Sequence, residues 1–195
     1  MLCVPARHIY ASAARRRARR RNVLILATGA AAVVLVLVLA GAGTGAGEHK
    51  KVEDGFIPVG GSISPFSDAP AVSKLDPVLR DALREAASDA GGEGIELRVN
   101  GGWRSASYQR QLLRRAVKTY GSAEVARQYV KPPAESSHVT GEAVDVGPTD
   151  AASWLSVYGS EYGLCQIYAN EPWHFELATT PGGPCPALTS NAAGG

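Results

Sequence analysis

Histidine is scarce in this chain. There are four, and only two of them, His138 and His174, follow residue 60. A metal site in the body of the chain has at most two imidazoles to draw on. Acidic residues are missing altogether before Glu48, whereas seven of the 20 Lys+Arg fall in the first 21 residues. The remainder carries 13 basic against 18 acidic side chains, a net −5. That mild acidity gives no footing for nucleic-acid binding, which needs a basic surface. Cysteine is limited to Cys3, Cys165 and Cys185. Beyond the N-terminal region only one intramolecular bridge can form. No internal repeat is present, which excludes a solenoid or propeller.

One long apolar run is present. Residues 23–40 contain no charge and are almost wholly Val, Leu, Ile and Ala. As a helix they rise about 27 Å, close to the hydrocarbon thickness of a bilayer. The arginines before the run stay cytoplasmic by the positive-inside rule, which sends the C-terminal part outside. Ala40-Gly41-Ala42 has the small residues of a signal-cleavage site. The full spanning length and long basic lead fit an uncleaved anchor, and we read the segment as one. The expected placement is single-pass in the cell membrane with an extracellular domain, or secreted if the signal is cleaved. Export favours a Cys165–Cys185 disulfide, since bridges persist in oxidising compartments.

The expected organisation follows from these breaks. Residues 1–22 form a basic cytoplasmic segment, 23–40 the membrane helix, and 41–71 a Gly- and Pro-containing linker. Residues 72–187 form the folded domain and 188–195 a loose tail. Within the domain, Asp76-Pro77 has an N-cap residue followed by Pro at the first helical position. Leu79, Leu83 and Ala86 continue it at helical spacing. Ile95, Leu97 and Val99 alternate with polar residues as a half-buried strand. Ser105 caps a second helix to about Tyr120, with Leu112, Leu113 and Val117 as its apolar side. A short strand from Ala143 to Val146 puts Ala143 and Asp145 on one face and the valines on the other. Asp150 to Tyr158 reads as a helix with Trp154, Leu155 and Tyr158 inward. Ile167–Tyr168 and His174–Leu177 read as further strands. The mixture predicts an α+β fold with a small antiparallel sheet flanked by helices.

The two histidines sit in compact polar motifs. One reads Ser136-Ser137-His138-Val139-Thr140-Gly141-Glu142-Ala143-Val144-Asp145, the other Glu171-Pro172-Trp173-His174-Phe175-Glu176. His138, Asp145 and His174 make a three-ligand set for Zn2+, which in catalytic sites leaves the fourth position to water. Glu171 lies three residues before the last ligand, where Pro172 fixes the backbone, and is the candidate base. Glu176 is either a partner of the histidine or a solvated strand residue. Arg104 follows a strand and can steady a developing oxyanion or hold a substrate carboxylate. Trp103 and Trp173 are candidate walls of a cleft.

These motifs carry a resemblance. Ser136-x-His138-x-x-Gly141-x-Ala143-x-Asp145 with Glu171-x-Trp173-His174 resembles the VanY-like D-alanyl-D-alanine carboxypeptidases. Gly102-Trp103-Arg104-Ser105 with Gln109 is similar to an upstream segment of that family. The resemblance implies zinc held by His138, Asp145 and His174, with Glu171 as base. It implies Arg104 as the cation of the transition state, and Ser136 and Gln109 as contacts of the substrate's terminal residue. It implies a fold shared with the hedgehog signalling domain, and action on peptidoglycan stem peptides; a monomer is expected. Glu142 departs from the family, standing where an apolar residue is common. The resemblance leaves the bond open among D-Ala-D-Ala, D-Ala-D-Lac and L-Ala-D-Glu. A cell-wall endopeptidase and a non-catalytic zinc-stabilised binding module remain the alternatives.

Overall fold

The structure is a computed structural model and describes residues 51–194. The expected cytoplasmic segment, the membrane segment and the start of the linker lie outside the described residues. Among the described residues no helix is long and apolar enough to cross a membrane.

Helices α1 (Pro70–Ser73) and α2 (Pro77–Gly92) lead into strand β1 (Arg98–Gly101). Helices α3 (Ala106–Tyr120), α4 (Ala123–Arg127) and α5 (Ser137–Thr140) follow. Strand β2 (Ala143–Gly147), helix α6 (Thr149–Tyr158) and strands β3 (Leu164–Gln166) and β4 (His174–Leu177) complete the order. The strands make one antiparallel sheet in the order β1-β2-β4-β3.

The predicted helix starts are realised by the predicted atoms. The Asp76 carboxylate accepts from Val78 N–H at 2.9 Å and Leu79 N–H at 3.2 Å. Ser105 Oγ accepts from Tyr108 N–H at 3.1 Å. Each bond satisfies an amide that the first helical turn leaves without a partner. Leu79, Leu83, Ala86 and Ala90 of α2 are fully buried against the sheet. On the sheet's inner face Val144, Val146 and Phe175 join them, with Val99 from β1. Phe175 is the largest fully buried side chain, and truncating such a residue to Ala costs about 3–5 kcal/mol.

Four expectations change in place or role. The first strand starts at Arg98 rather than Ile95, although Leu97 is still buried. On α3 the buried side is carried by Gln109 and Ala116, while Leu112, Leu113 and Val117 are half-buried. Tyr158 is 40% exposed rather than inward, because Trp154 and Leu155 already fill that side of α6. The third strand is Leu164–Gln166, and Tyr168 instead forms a parallel bridge with Thr189.

Two segments expected to be irregular are packed onto the domain. In the stretch read as linker, Ile57 is buried and Ile63 pairs with Val99 as an antiparallel bridge. The Ile63 and Val99 amides exchange hydrogen bonds of 2.8 and 2.9 Å, extending the sheet past β1. In the tail, Ala192 is buried. Composition flagged both as loose, but backbone pairing depends little on side-chain type.

Candidate active site

Strand register builds the centre of the site. Asp145 on β2 lies directly opposite His174 on β4, and Ala143 opposite Glu176. Side chains two apart share a face, so Asp145, His174 and Glu176 all project to the side away from the apolar core. On the other flank Asp145 pairs with Gly101 of β1, after an irregularity at Asn100. A Cβ at Gly101 would collide with the Asp145 carboxylate. Glycine there gives the carboxylate its space.

His138 arrives from a different element. It lies in the one-turn helix α5, which Gly141 ends in the left-handed conformation at φ 86°. A Cβ at Gly141 would also press on the Lys74 carbonyl at 2.7 Å. The His138 Nδ1–H donates to the Gly102 carbonyl at 2.9 Å. A carbonyl can only accept, so Nδ1 carries the proton and Nε2 holds the lone pair of the neutral ring. Burial, then the Arg104 charge, lowers the His138 pKa to about 4 and keeps the ring neutral.

His174 is oriented the opposite way round. Its Nε2 lies 2.9 Å from Glu176 Oε1, which holds a proton on that nitrogen and turns Nδ1 inward. His138 Nε2 and His174 Nδ1 then lie 3.3 and 3.2 Å from the same atom, Asp145 Oδ1. The three ligand atoms all fall within 4.8 Å of one another.

That donor set fits a metal ion. Two lone pairs and a carboxylate oxygen converge, and each histidine has its other nitrogen fixed by an acceptor, as metal-ligating histidines do. Ligands about 2.0–2.1 Å from a tetrahedral zinc lie about 3.3 Å from each other, close to the two histidine–aspartate distances. Burial lowers the His174 pKa, but hydrogen bonds to Asp145 and Glu176 outweigh it and raise the pKa to about 9. The metal competes with that second proton for Nδ1. Burial raises the Asp145 pKa, yet His138, His174 and Arg104 hold its carboxyl well below the usual range.

Arg104 and Glu171 flank the ligands. Arg104 Nη2 donates to Asp145 Oδ2 at 3.2 Å, and its backbone N–H donates to the His138 carbonyl at 3.1 Å. Glu171 sits in the turn before β4, where its carbonyl accepts from His174 N–H at 3.0 Å. Its side chain lines the same cleft as the ligands, and its Oε1 is buried with no hydrogen-bond partner. Burial is the largest influence on it and raises its pKa to about 7. A buried carboxylate with a free oxygen and a raised pKa is suited to taking and returning a proton.

The cleft has a volume of about 290 Å³. Ser136, Gln109 and Trp173 line it as expected. Ser136 and Gln109 are buried, and Gln109 Nε2 donates to the Lys131 carbonyl at 2.7 Å. Trp173, 43% exposed, forms part of the rim. Trp103 does not line the cleft. Its N–H donates to Ala71 at 2.9 Å, and its ring lies 4.0 Å beneath Lys74 Nζ. Gly102 passes so close to the Ala71 carbonyl that no Cβ fits, which directs Trp103 toward α1.

The sequence reading missed Lys131 and Tyr168. Tyr168 lies 4.9 Å from the His174 ring and lines the cleft with Lys131. Tyr168 stands three residues before Glu171, at the start of the turn, and that position was the available signal. The Cys165–Cys185 disulfide is present and spans the Glu171–His174 segment.

The family model VanY, D-alanyl-D-alanine carboxypeptidase, matches residues 72–179. The chain belongs to this family. The match covers every element from α2 to β4 and all the residues just described as ligands or flanking them. No curated protein sequence matches the chain. A VanY D,D-pentapeptidase variant from a VanB-type vancomycin-resistance cassette, solved with Zn(II), is 22% identical with TM-score 0.50. That likeness covers 52% of this chain and 71% of the other. The LD-carboxypeptidase LdcB is 24% identical with TM-score 0.52, over 62% of this chain and 66% of its own. The D,D-dipeptidase VanXYg, solved with a D-Ala-D-Ala phosphinate analog, is 23% identical with TM-score 0.51, over 62% and 56%. At these identities the likeness is one of fold. The mixed fold with a small antiparallel sheet is that of VanY-like peptidases.

Proposed function

We propose that this chain is a zinc-dependent carboxypeptidase that removes the terminal D-amino acid from peptidoglycan stem peptides outside the cell, tethered by residues 23–40. The convergence of His138, Asp145 and His174 beside the buried, unpartnered Glu171 oxygen carries the reading. Family membership supplies the reaction class. The solved relatives with Zn(II) and with a D-Ala-D-Ala analog support the metal and the substrate class.

Bound Zn2+ supplies a Lewis acid that polarises the scissile carbonyl and acidifies water. The side chains do the rest. Glu171 accepts a proton from the attacking water as the C–O bond forms. It returns that proton to the leaving amine as the C–N bond breaks. Arg104, held by Asp145, presents its remaining donors to the oxyanion. Ser136 and Gln109 bind the residue being released. A non-catalytic binding module has no use for a buried carboxylate with a raised pKa, so the observed Glu171 favours turnover.

The test is release of D-Ala from a stem pentapeptide by the purified zinc-loaded protein, followed by mass spectrometry of digested cell wall. Loss of a single terminal residue is expected. Cleavage within the cross-bridge instead would make it an endopeptidase. No hydrolysis, with wall binding indifferent to Glu171→Gln, would make it a binding module.

A further inference from the structure

Arg104 stands in a four-residue stretch that is tied at every position. The Gly102 carbonyl accepts from the His138 ring, and the Trp103 N–H donates to the Ala71 carbonyl at 2.9 Å. The Arg104 N–H donates to the His138 carbonyl at 3.1 Å, and the Ser105 N–H to the Asp54 carbonyl at 3.0 Å. Ser105 Oγ in turn caps α3. Two of these partners, Asp54 and Ala71, lie ahead of residues 72–179, the stretch that matches the family. The backbone that carries Arg104 is therefore held partly by residues outside that stretch.

The segment around Asp54 is shaped for that contact. Val52–Asp54 make a single 3-10 turn, which Gly55 ends at φ 82° with its N–H on the Val52 carbonyl at 2.9 Å. A Cβ at Gly55 would collide with the Trp103 carbonyl and come to 2.9 Å from Arg104 Cα. The atoms it would meet are backbone, so no side-chain rotation relieves the clash. Phe56 then sets its ring edge-on to Tyr108 of α3, with centroids 5.9 Å apart. Buried Ile57 and the Ile63–Val99 bridge anchor the rest of the segment to the domain.

We infer that residues 54–56 are a brace that positions Arg104, with Gly55 as the positioning residue that lets the segment lie against its backbone. The inference rests on the role given to Arg104 in the carboxypeptidase reading, and deepens it. Arg104 Nη2 reaches Asp145 Oδ2 at 3.2 Å, already at the long end for N–H···O. A backbone shift of about half an ångström takes that bond out of range. Misplacing a group by about 1 Å costs about a hundredfold in rate. Arg104 acts on charge that develops in the transition state, so the loss falls on kcat and spares KM.

The experiment uses the full zinc-loaded chain as wild type, Gly55→Ala, Arg104→Ala and the double variant, with release of D-Ala from a stem pentapeptide as readout. Gly55→Ala is expected to lower kcat about a hundredfold, with KM and zinc content unchanged. In the Arg104→Ala background it is expected to cost nothing further, since residues that act as a unit are not additive. Wild-type kcat in Gly55→Ala overturns the inference. So does an equal loss in both backgrounds, which is the mark of a general structural role. Should Gly55→Ala fail to fold, Phe56→Ala keeps the glycine and frees the segment from Tyr108. A kcat loss of at least threefold is then expected in the wild-type background alone, and a loss in neither or in both refutes the brace. If the wild type releases no D-Ala, the proposed function fails instead. The brace is then read from amide hydrogen exchange. Ser105 is expected to exchange at least tenfold faster in Gly55→Ala, with Val146, bonded to the Trp173 carbonyl, unchanged. Unchanged exchange at Ser105, or the same acceleration at Val146, refutes it.

Discussion

Removing the charge of Glu176 should loosen the metal while leaving the fold intact. Glu176 Oε1 accepts the His174 Nε2–H at 2.9 Å. That bond keeps the ring proton on the outer nitrogen and the lone pair toward Asp145. Burial raises the Glu176 pKa, but the bonds to His174 and Ser137 outweigh it, so the carboxylate stays ionised. Gln at this position keeps an acceptor and loses the charge, whereas Ala loses both. Partners of this kind contribute about 10–100-fold to metal affinity, and each tenfold is about 1.4 kcal/mol. The expected losses are about tenfold for Glu176→Gln and about a hundredfold for Glu176→Ala. The side chain is 21% exposed, so a larger effect from desolvation is not expected. Competition against a chelator of known affinity measures both variants, with circular dichroism confirming the fold. Unchanged zinc affinity in both would refute the role given to Glu176. Equal losses in Gln and Ala would show that the neutral acceptor contributes nothing and that the charge carries the whole effect.

Glu171→Gln should reduce turnover by about 10²–10⁴-fold with zinc content unchanged, and metal loss in this variant would reassign Glu171 as a ligand. The base works as the carboxylate, and its pKa is raised to about 7. Activity should therefore rise with pH through an acid limb at or below about 7, since a bound dication lowers that pKa. A limb absent from kcat/KM above pH 5 would count against Glu171. Gly101→Ala pushes a methyl into the Asp145 carboxylate and should weaken zinc binding far more than it lowers stability; equilibrium dialysis beside a thermal melt separates the two. Reducing the Cys165–Cys185 bridge, which spans 20 residues, should cost about 3 kcal/mol of stability by loop-closure entropy. A melting temperature unmoved by reductant would contradict this.

Much of the site was legible because its ligands are marked by scarcity. With only two histidines after residue 60, any imidazole ligands of the domain had to be His138 and His174. Alternation along residues 143–146 put Asp145 opposite the valines, as β2 does. Helix starts at Asp76 and Ser105 were readable because an N-cap is a contact over two or three residues. The Trp103 expectation failed because the contact that turns it comes from Ala71, 32 positions earlier. Glu176 was left between two roles until the register placed it beside His174.

The sequence by itself limited which atoms can bind a metal, which carboxylate is the candidate base, and which cysteines can pair. Those properties are chemical identity plus short-range periodicity. Only the tertiary structure decided the nitrogen each histidine presents, because the deciding acceptors are the Gly102 carbonyl and Glu176. Only it could show the tail folding back on the cleft. The tail is held by backbone hydrogen bonds between Thr189 or Ala192 and residues 20 to 64 positions away, and Ala192 lines the cleft. Main-chain pairing at such distances leaves little trace in side-chain composition, so a Pro-, Gly- and Ala-rich tail and a wall of the cleft look alike until the chain is folded.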